Sequence, residues 1–257
     1  MFFNEKMRFR EVFQVKALIL AAGYATRLYP LTENLPKPLL QVGDRAIIEH
    51  ILAKLEALKT ITQVYIVTNN KFYSAFATWS KNLKSSFRLK ILNDGTLSNE
   101  DRLGSIGDIH FTLLQENIQD DLLVIAGDNL FGFSLAEFID FFKEKKTSVV
   151  AFHDLKDKEK VKGKYGVGIL DGSRVIDFEE KPVKPKSSLA ATACYIFNKD
   201  DLQQVKILVE KGNADAPGNL VKHLATHTEM HGFIFTDHWF DVGTFESLEE
   251  AQKVYRR

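Results

Sequence analysis

The residues with the clearest chemical potential lie in the segment 20–40, LAAGYATRLYPLTENLPKPLL. Gly23 and Ala25 have little or no side chain, so backbone amides there can approach an anion without obstruction. Arg27 can donate to two phosphate oxygens at once, and Lys37 adds a compact positive charge between two prolines. The segment therefore predicts a polyphosphate site. The residues beside these complete the predicted polyphosphate-binding loop: Leu20, Ala21, Ala22 and Thr26.

Two aspartates could hold a metal ion. Asp128 follows the apolar run LLVIAG, where an ionised carboxylate is costly unless a positive charge meets it. Mg²⁺ prefers oxygen ligands and is commonly held by one or two carboxylates together with substrate phosphates. Asp241, in HWFDVGTFESL, is the candidate second ligand. We therefore expect Mg²⁺ as the cofactor, held by Asp128 and Asp241.

The elements that must position these residues alternate along the first half of the chain. Apolar runs predict strands over 17–21, 63–68, 88–92 and 122–126, and apolar residues at helical spacing predict helices over 47–58 and 135–142. This alternation is typical of an α/β fold with a doubly wound, mostly parallel (mixed) Rossmann-like sheet flanked by helices. Such sheets bind ligands at the carboxyl ends of their strands, which is where the loop and Asp128 fall.

Beyond about residue 147 the apolar runs are shorter and alternate, which predicts a second half richer in β-structure. We expect residues 16–257 to form a single domain with a first half, 16–150, and a second half, 151–257.

The composition argues against several classes of partner. Lys and Arg together number 34, as do Asp and Glu, so the chain has no excess charge for nucleic acid or an anionic membrane. No apolar run approaches the roughly 20 residues that span a bilayer. The single cysteine, Cys194, lies in an apolar run and is typical of a buried residue in a reducing compartment. We expect a cytoplasmic protein, with homo-oligomer formation left open.

The loop resembles that of the sugar-1-phosphate nucleotidyltransferases (nucleotide-sugar pyrophosphorylases), closest in pattern to glucose-1-phosphate thymidylyltransferase-like proteins. The family reads Gly-x-Gly-Thr-Arg, then Pro, then Pro-Lys. Here Ala25 stands at the second glycine. If that position needs a positive φ, alanine costs roughly 1 kcal/mol relative to glycine.

The resemblance extends into the second half. The segment FEEKPVKPKSS is similar to the family's Glu-Glu-Lys-Pro segment, which implies that Lys181 binds the sugar phosphate and Glu180 accepts hydrogen bonds from sugar hydroxyls. The Tyr-Gly-Val segment at 165–167 matches one in which a glycine, here Gly166, approaches the sugar.

The segment RLGSIGDI is similar to the family's Leu-Gly-Thr-Ala-Gly-Ala-Leu, which implies that Gly104 and Ser105 face the nucleotide at a helix start. Free amides and a partial positive charge make such a start a physically sensible place for it. Asn93 is closest to the position where many relatives have a base-reading glutamine.

The resemblance implies a transferase that joins a nucleoside triphosphate to a sugar-1-phosphate and releases pyrophosphate. It also implies that residues 1–15 are an N-terminal extension, that residues 16–150 bind the nucleotide and that residues 151–257 bind the sugar phosphate. Thymidylyl or uridylyl transfer to glucose-1-phosphate is favoured, and guanylyl and cytidylyl transfer to other sugars stay open. One alternative is a cytidylyltransferase for a non-sugar phosphate such as phosphocholine. Another is a regulatory subunit that binds a nucleotide sugar without catalysis. In the catalytic interpretation, Arg27, Lys37, Asp128 and Lys181 are the catalytic set.

Overall fold

The structure is a computed structural model that describes residues 13–256. Of the extension expected over residues 1–15, residues 1–12 lie outside this range, while Val15 already begins the first strand. The strands are β1 Val15–Leu20, β2 Gln41–Val42, β3 Arg45–Ala46, β4 Ile61–Thr68, β5 Arg88–Asn93, β6 Leu122–Ala126, β7 Asn129–Phe131, β8 Ser148–Asp154, β9 Val167–Asp171, β10 Arg174–Glu179, β11 Leu189–Phe197, β12 Met230–Phe235 and β13 Trp239–Asp241. The helices are α1 Ile47–Glu56, α2 Asn70–Ser80, α3 Ser105–Gln115, α4 Leu135–Lys145, α5 Lys158–Val161, α6 Gln203–Glu210, α7 Pro217–His227 and α8 Phe245–Tyr255.

Nine strands of the described residues form one sheet in the order β5-β4-β1-β6-β11-β8-β12-β10-β9. The four strands β5, β4, β1 and β6 are parallel, as the sequence predicts for the first half. Strand β11 then pairs antiparallel with both β6 and β8, and antiparallel pairs predominate in the second half. The mixed α/β fold is confirmed, and its parallel part is the first half of the chain.

Helices cover both faces of the sheet. In β1, Ala17 and Ile19 pack on one face with α1, α2 and α4, while Leu18 packs on the other with α3, α6 and α7. Because both faces are covered, β1 reads as a continuous apolar run rather than an alternating one. Its carboxyl end is therefore held rigidly where the 20–40 loop begins.

A small ribbon stands apart from the main sheet. Strand β7 pairs antiparallel with β13, with Asn129 opposite Asp241. This pairing brings residues that follow β6 beside residues near the end of the chain. Among residues 13–256, no helix is long and apolar enough to cross a bilayer.

Candidate active site

The 20–40 loop leaves the carboxyl end of β1 and is fixed by neighbouring backbone groups. Gly127 N donates to Leu20 O at 2.8 Å, and the buried Asn69 side chain donates to Ala22 O at 2.8 Å. Ala25 adopts φ +50° and ψ +37°, and its carbonyl accepts from Thr32 Oγ1 at 2.7 Å. Alanine therefore occupies a left-handed position that favours glycine, at a cost of roughly 1 kcal/mol.

A cavity of about 290 Å³ opens beside this loop, and we call it the larger cavity. Arg27 and Lys37 reach it from the loop, and Asp128 reaches it from the end of β6. Its complete lining is Leu20, Ala21, Gly23, Tyr24, Ala25, Thr26, Arg27, Lys37, Pro38, Asn99, Arg102 and Asp128. Three cationic side chains, from Arg27, Lys37 and Arg102, and a run of small residues at the carboxyl end of β1 make it suited to a polyphosphate.

Asp128 is held by two side chains from different parts of the chain. Its Oδ2 accepts from Lys37 Nζ, and its Oδ1 accepts from Asn129 Nδ2 at 3.0 Å. Asn129 Oδ1 in turn accepts from the Trp239 indole at 2.6 Å. The carboxylate is thus oriented by β7 and β13 together, and the lysine balances its charge.

Asp241 reaches the same place from the end of β13. Val242 N donates to Asp128 O at 3.1 Å, which fixes the two aspartates beside each other. Burial and the charge of Asp128 raise the pKa of Asp241 to about 6, against the opposing effect of Lys37, Arg27 and Lys181. Two carboxylates fixed beside each other, without enough positive charge to neutralise both, are an oxygen donor set that fits a hard divalent cation.

A second cavity, of about 210 Å³, adjoins the first, and we call it the smaller cavity. Asp128 lines both cavities, and Asp241 and Lys181 line the smaller one. Its complete lining is Ala126, Asp128, Asn129, Lys164, Tyr165, Gly166, Phe178, Glu180, Lys181, Ala191, Thr192, Ala193, Tyr195, Pro217, Gly218, Trp239 and Asp241.

The walls of the smaller cavity combine aromatic rings with charge. The Tyr165 and Trp239 rings lie 4.9 Å apart between centroids. Burial raises the pKa of Glu180, although Lys181 opposes it. Lys181 holds φ +44°, and its amide donates to Tyr165 O at 3.2 Å. A non-glycine residue held at positive φ beside a cavity is typical of functional sites.

Glycines bring the backbone close to this wall. A Cβ added at Gly166 would clash with the Phe178 ring, and one added at Gly218 would clash with the Glu180 carboxylate. Gly218 lies in the first turn of α7. The carboxylate therefore sits against the start of α7 because no side chain intervenes there.

The charged residues named from the sequence meet in this cleft, by which we mean the larger and smaller cavities together. The cleft contains Arg27, Lys37, Asp128, Lys181 and Asp241. The charges of the other four all affect the pKa of Asp241, so each of them lies within electrostatic reach of Asp241. Gly166 and Glu180 also line the cleft, as do the loop residues apart from Ala22, whose carbonyl is bound by Asn69.

Three residues predicted to bind the nucleotide lie elsewhere. Gly104 and Ser105 are not among the residues that line the cleft. The amides expected to be free at the start of α3 are bound to backbone carbonyls: Ser105 N donates to Asp215 O at 3.0 Å, and Ile106 N donates to Ala214 O at 2.9 Å. The expectation of free amides is therefore wrong, because segment 214–215 caps this helix.

Asn93 also lies outside the cavity lining. Its carboxamide donates to Asn70 Oδ1 at 2.9 Å and accepts from Gly95 N at 2.9 Å. The lining of the larger cavity does include three polar side chains that the sequence did not single out: Tyr24, Asn99 and Arg102. Arg102 is held by a paired contact with Asp215, at 3.2 and 3.1 Å.

Sequence reasoning missed these three residues and Trp239. Strand alternation could have found Trp239, which lies two residues before Asp241 and so on the same face of β13. No sequence signal places Asn99 and Arg102, because the loop between β5 and α3 has no regular period.

Known proteins match this chain along nearly its full length. The nucleotidyl transferase family matches residues 16–257. The bifunctional protein GlmU of Methanocaldococcus jannaschii is 31% identical over 240 residues, which cover 92% of this chain and 53% of that protein. The chain thus spans about half the length of this curated relative.

Solved structures show the same fold. A Bacillus anthracis structure described as a glucose-1-phosphate thymidylyltransferase in complex with a sucrose is 26% identical, with a TM-score of 0.79 over 94% of this chain and 95% of that one. A UDP-glucose pyrophosphorylase complexed with UDP-glucose is 23% identical, with a TM-score of 0.77 over 94% of this chain and 98% of that one. Because the family match runs from residue 16 to residue 257, far more than half of the sequence, the chain belongs to the nucleotidyl transferase family.

Proposed function

We propose that this protein transfers a nucleotidyl group from a nucleoside triphosphate to a sugar-1-phosphate, forming a nucleotide sugar and releasing pyrophosphate. The favoured donors are dTTP and UTP, and the favoured acceptor is glucose-1-phosphate. Support for that preference comes from the name of the Bacillus anthracis structure and from the residues shared with that kind of enzyme.

The observation that carries the proposal is the arrangement of charge around Asp128. Two cavities meet there, one containing Arg27 and Lys37 and the other containing Lys181. A transferase of this kind must hold two anions together against their repulsion. Separate cationic side chains on either side of one carboxylate match that requirement.

The reaction needs no general base, because the attacking phosphate oxygen already carries negative charge. That oxygen forms a bond to the α-phosphorus of the triphosphate, and the bond from the α-phosphorus to the pyrophosphate breaks in line with it. Catalysis then consists of positioning the two anions and stabilising the charge that builds up on the leaving group.

Each cationic side chain binds a different phosphate group of the two substrates in this proposal. Arg27 binds the leaving pyrophosphate, Lys37 the region of the α-phosphate, and Lys181 the attacking phosphate. Glu180 accepts hydrogen bonds from sugar hydroxyls, and Gly166 lets the backbone approach the sugar. The loop 20–26 contacts the nucleotide mainly through its backbone.

Asp128 and Asp241 would hold a divalent cation, for which Mg²⁺ is the proposed identity. When bound, this ion supplies positive charge to the phosphate oxygens. Before it binds, Lys37 balances the charge of Asp128. We place the reaction in the cytoplasm.

A second candidate reaction is favoured by the aromatic pair in the smaller cavity. Tyr165 and Trp239, beside the Glu180 carboxylate, could surround a quaternary ammonium group such as that of phosphocholine. The nucleotide donor would then be CTP. The same rings can also pack against a sugar, so the acceptor must be tested directly.

A pyrophosphate-release screen tests the proposal. Each common nucleoside triphosphate is combined with glucose-1-phosphate, other sugar-1-phosphates and phosphocholine, with and without Mg²⁺. We expect turnover with dTTP or UTP and glucose-1-phosphate. Turnover only with CTP and phosphocholine would establish the second candidate. Tight binding of a nucleotide sugar without turnover for any pair would instead indicate a regulatory subunit.

A further inference from the structure

A pair of carboxyl groups outside the lining of the larger cavity takes no part in the proposed chemistry. Asp108 is on α3 and is 6% exposed, and Asp94 directly follows β5. Their side chains are within hydrogen-bond reach of each other. Asp108 Oδ1 and Asp94 Oδ2 are buried and receive no hydrogen bond from an N–H or hydroxyl group in residues 13–256.

Two ionised carboxylates in such a place would repel each other without compensation. A single proton held between them removes one charge and gives both unpartnered oxygens a hydrogen bond. The carboxyl group of Asp108 is the donor in this arrangement, because Asp94 already accepts two other hydrogen bonds as an ionised group does.

These hydrogen bonds lead to the wall of the larger cavity. Asp94 Oδ1 accepts from Thr96 N at 2.7 Å and from Thr96 Oγ1 at 2.8 Å. Since the Thr96 hydroxyl proton is used there, the Tyr24 hydroxyl donates to Thr96 Oγ1, at 3.3 Å. Tyr24 precedes Ala25 in the 20–40 loop and lines the larger cavity.

The loop that carries Thr96 also carries other residues of that cavity. Asn99 and Arg102 line the larger cavity from this segment. The segment is also tied to its other neighbours: Asp94 N donates to Thr68 O at 2.9 Å, Asn70 N donates to Thr96 O at 3.0 Å, and Arg102 pairs with Asp215. The contact between Thr96 and Tyr24 joins it to the 20–40 loop, and the Asp94–Asp108 pair is the buried end of that anchor.

We propose that Asp108 is a positioning residue for nucleotide binding: through one proton shared with Asp94, it keeps Thr96, Tyr24 and the 94–102 segment in the arrangement that accepts the nucleotide. The identity of the ligand rests on the proposed function, whereas the shared proton does not. Loss of that proton places two negative charges side by side and releases the anchor.

The electrostatic surroundings set the pH at which this happens. Burial, and then the charge and hydrogen bond of Asp94, raise the pKa of Asp108 to about 8. Burial also raises the pKa of Asp94, with Asp101 facing it from the loop. Strands β1 and β4 and helices α6 and α7, which pack against α3, bring no further titratable group to bear on Asp108 within residues 13–256. The proton is held at neutral pH and lost in alkaline solution.

The test is the pH dependence of the KM for the nucleoside triphosphate, measured with the wild type and with Asp108→Asn. The carboxamide donates to Asp94 at every pH. The wild-type KM should rise above about pH 8, by about tenfold at pH 9.5, with kcat and the KM for the sugar phosphate little changed. In Asp108→Asn the alkaline rise should disappear. Titration of the triphosphate itself is common to both proteins and cancels in the comparison.

Asp121→Asn is the matched control. Burial raises the pKa of Asp121 as well, but this residue precedes β6 and so lies at the amino end of that strand, whereas the cleft lies at its carboxyl end. Its variant should keep the wild-type pH profile. An alkaline rise that persists in Asp108→Asn, or one that affects the sugar-phosphate KM equally, would overturn the proposal.

A measurement without substrates separates this inference from the proposed function. The unfolded chain releases the Asp108 proton near pH 4, whereas the folded chain keeps it to about pH 8, so this group lowers wild-type stability as pH rises between those values. The free energy of unfolding of Asp108→Asn should therefore depend less steeply on pH there. Equal slopes for the two proteins would refute the shared proton even if the enzyme has a different substrate.

A third variant covers the case in which Asp108→Asn folds poorly. Thr96→Val keeps the carboxyl pair but removes the hydroxyl that joins it to Tyr24. This variant should show a raised nucleotide KM at all pH values and a wild-type dependence of stability on pH between 4 and 8. A wild-type nucleotide KM in Thr96→Val would contradict the proposed link to the cavity.

Discussion

At the scale of single residues, the contact between Lys37 and Asp128 stands where the two cavities of the cleft meet. Lys37→Ala removes a charge proposed to bind the region of the α-phosphate. Asp128→Ala removes a carboxylate proposed to bind the cation. We expect each change to lower pyrophosphate release by about 100-fold or more, since single groups that stabilise transition-state charge have effects of that size. Circular dichroism should show that the fold is retained.

Lys90→Ala is a suitable control for these variants. Lys90 forms an ion pair with Glu116 at 2.8 Å and does not line the cleft, so its loss should change turnover less than twofold. Near-normal pyrophosphate release by Lys37→Ala or Asp128→Ala would remove the basis of the proposed mechanism.

Ala25 offers a prediction about backbone strain. With φ at +50°, Ala25→Gly relieves a cost of roughly 1 kcal/mol but adds freedom to the unfolded chain worth about 0.4–1 kcal/mol. The free energy of unfolding in urea should therefore stay level or increase by up to about 0.6 kcal/mol, with turnover retained. Ala53→Gly, on the exposed side of α1, should instead lose about 1 kcal/mol. Equal losses in both variants would show that Ala25 is unstrained.

The sequence predicted those residues of the cleft that are charged and that occur in motifs with a fixed order along the chain. Arg27, Lys37 and Lys181 are of this kind, and all three line the cleft. Asn99 and Arg102 could not be predicted, because their place depends on the path of an irregular loop and on the contact between Arg102 and Asp215, 113 positions apart.

At the scale of elements, the start of α3 is joined to the segment that precedes α7. Gly104, at φ +78°, lies so close to this segment that an added Cβ would stand 2.5 Å from Asp215 Cα and 2.7 Å from Ala214 O. Gly104→Ala therefore adds a backbone clash to the conformational strain. We expect it to lower the free energy of unfolding by about 2–4 kcal/mol, measured by denaturant titration.

Gly212→Ala measures the cost of a side chain at positive φ where no clash occurs. Gly212 has nearly the same φ, +74°, but nothing lies within 4 Å of an added Cβ. Its variant should lose only about 1 kcal/mol. If the two variants lost the same amount, the close approach of Gly104 to segment 214–215 would have no energetic importance.

Long apolar runs made the parallel strands predictable. The expected strands at 63–68 and 122–126 correspond to β4 and β6, and the helix expected over 135–142 corresponds to α4. The β7–β13 ribbon has only three residues in each strand, too few to establish a period. The capping of α3 could not be predicted either, because local sequence does not reveal which distant carbonyls will reach a helix start.

At the scale of the whole molecule, the ionised Asp241 in the cleft lowers the stability of the folded protein. Asp241 has its pKa raised to about 6, above the value for an unfolded chain, so this group favours folding most in acid and its contribution is lost as the pH rises past 6. At pH 8 without divalent cations, Asp241→Asn should therefore raise the free energy of unfolding by about 1–3 kcal/mol. Thermal unfolding in EDTA measures this.

Adding Mg²⁺ should reverse the order of the two proteins. The wild type gains stability by binding the ion, while Asp241→Asn lacks one of the two carboxylates and gains much less. Asp237→Asn changes an exposed aspartate close by in sequence and should behave like the wild type under both conditions. If Mg²⁺ stabilised Asp241→Asn as much as the wild type, Asp241 would not be a ligand.

The pairing of β7 with β13 also has a consequence for when the cleft can form during synthesis on the ribosome. Asn129 and Asp241 are opposite one another in this ribbon, although 112 positions separate them. A nascent chain can pair its strands β5, β4, β1 and β6 while residues 239–241 are still in the exit tunnel, before Asp241 has reached Asp128. A product interrupted before residue 239 would fold much of its sheet and still lack the second carboxylate of the cleft.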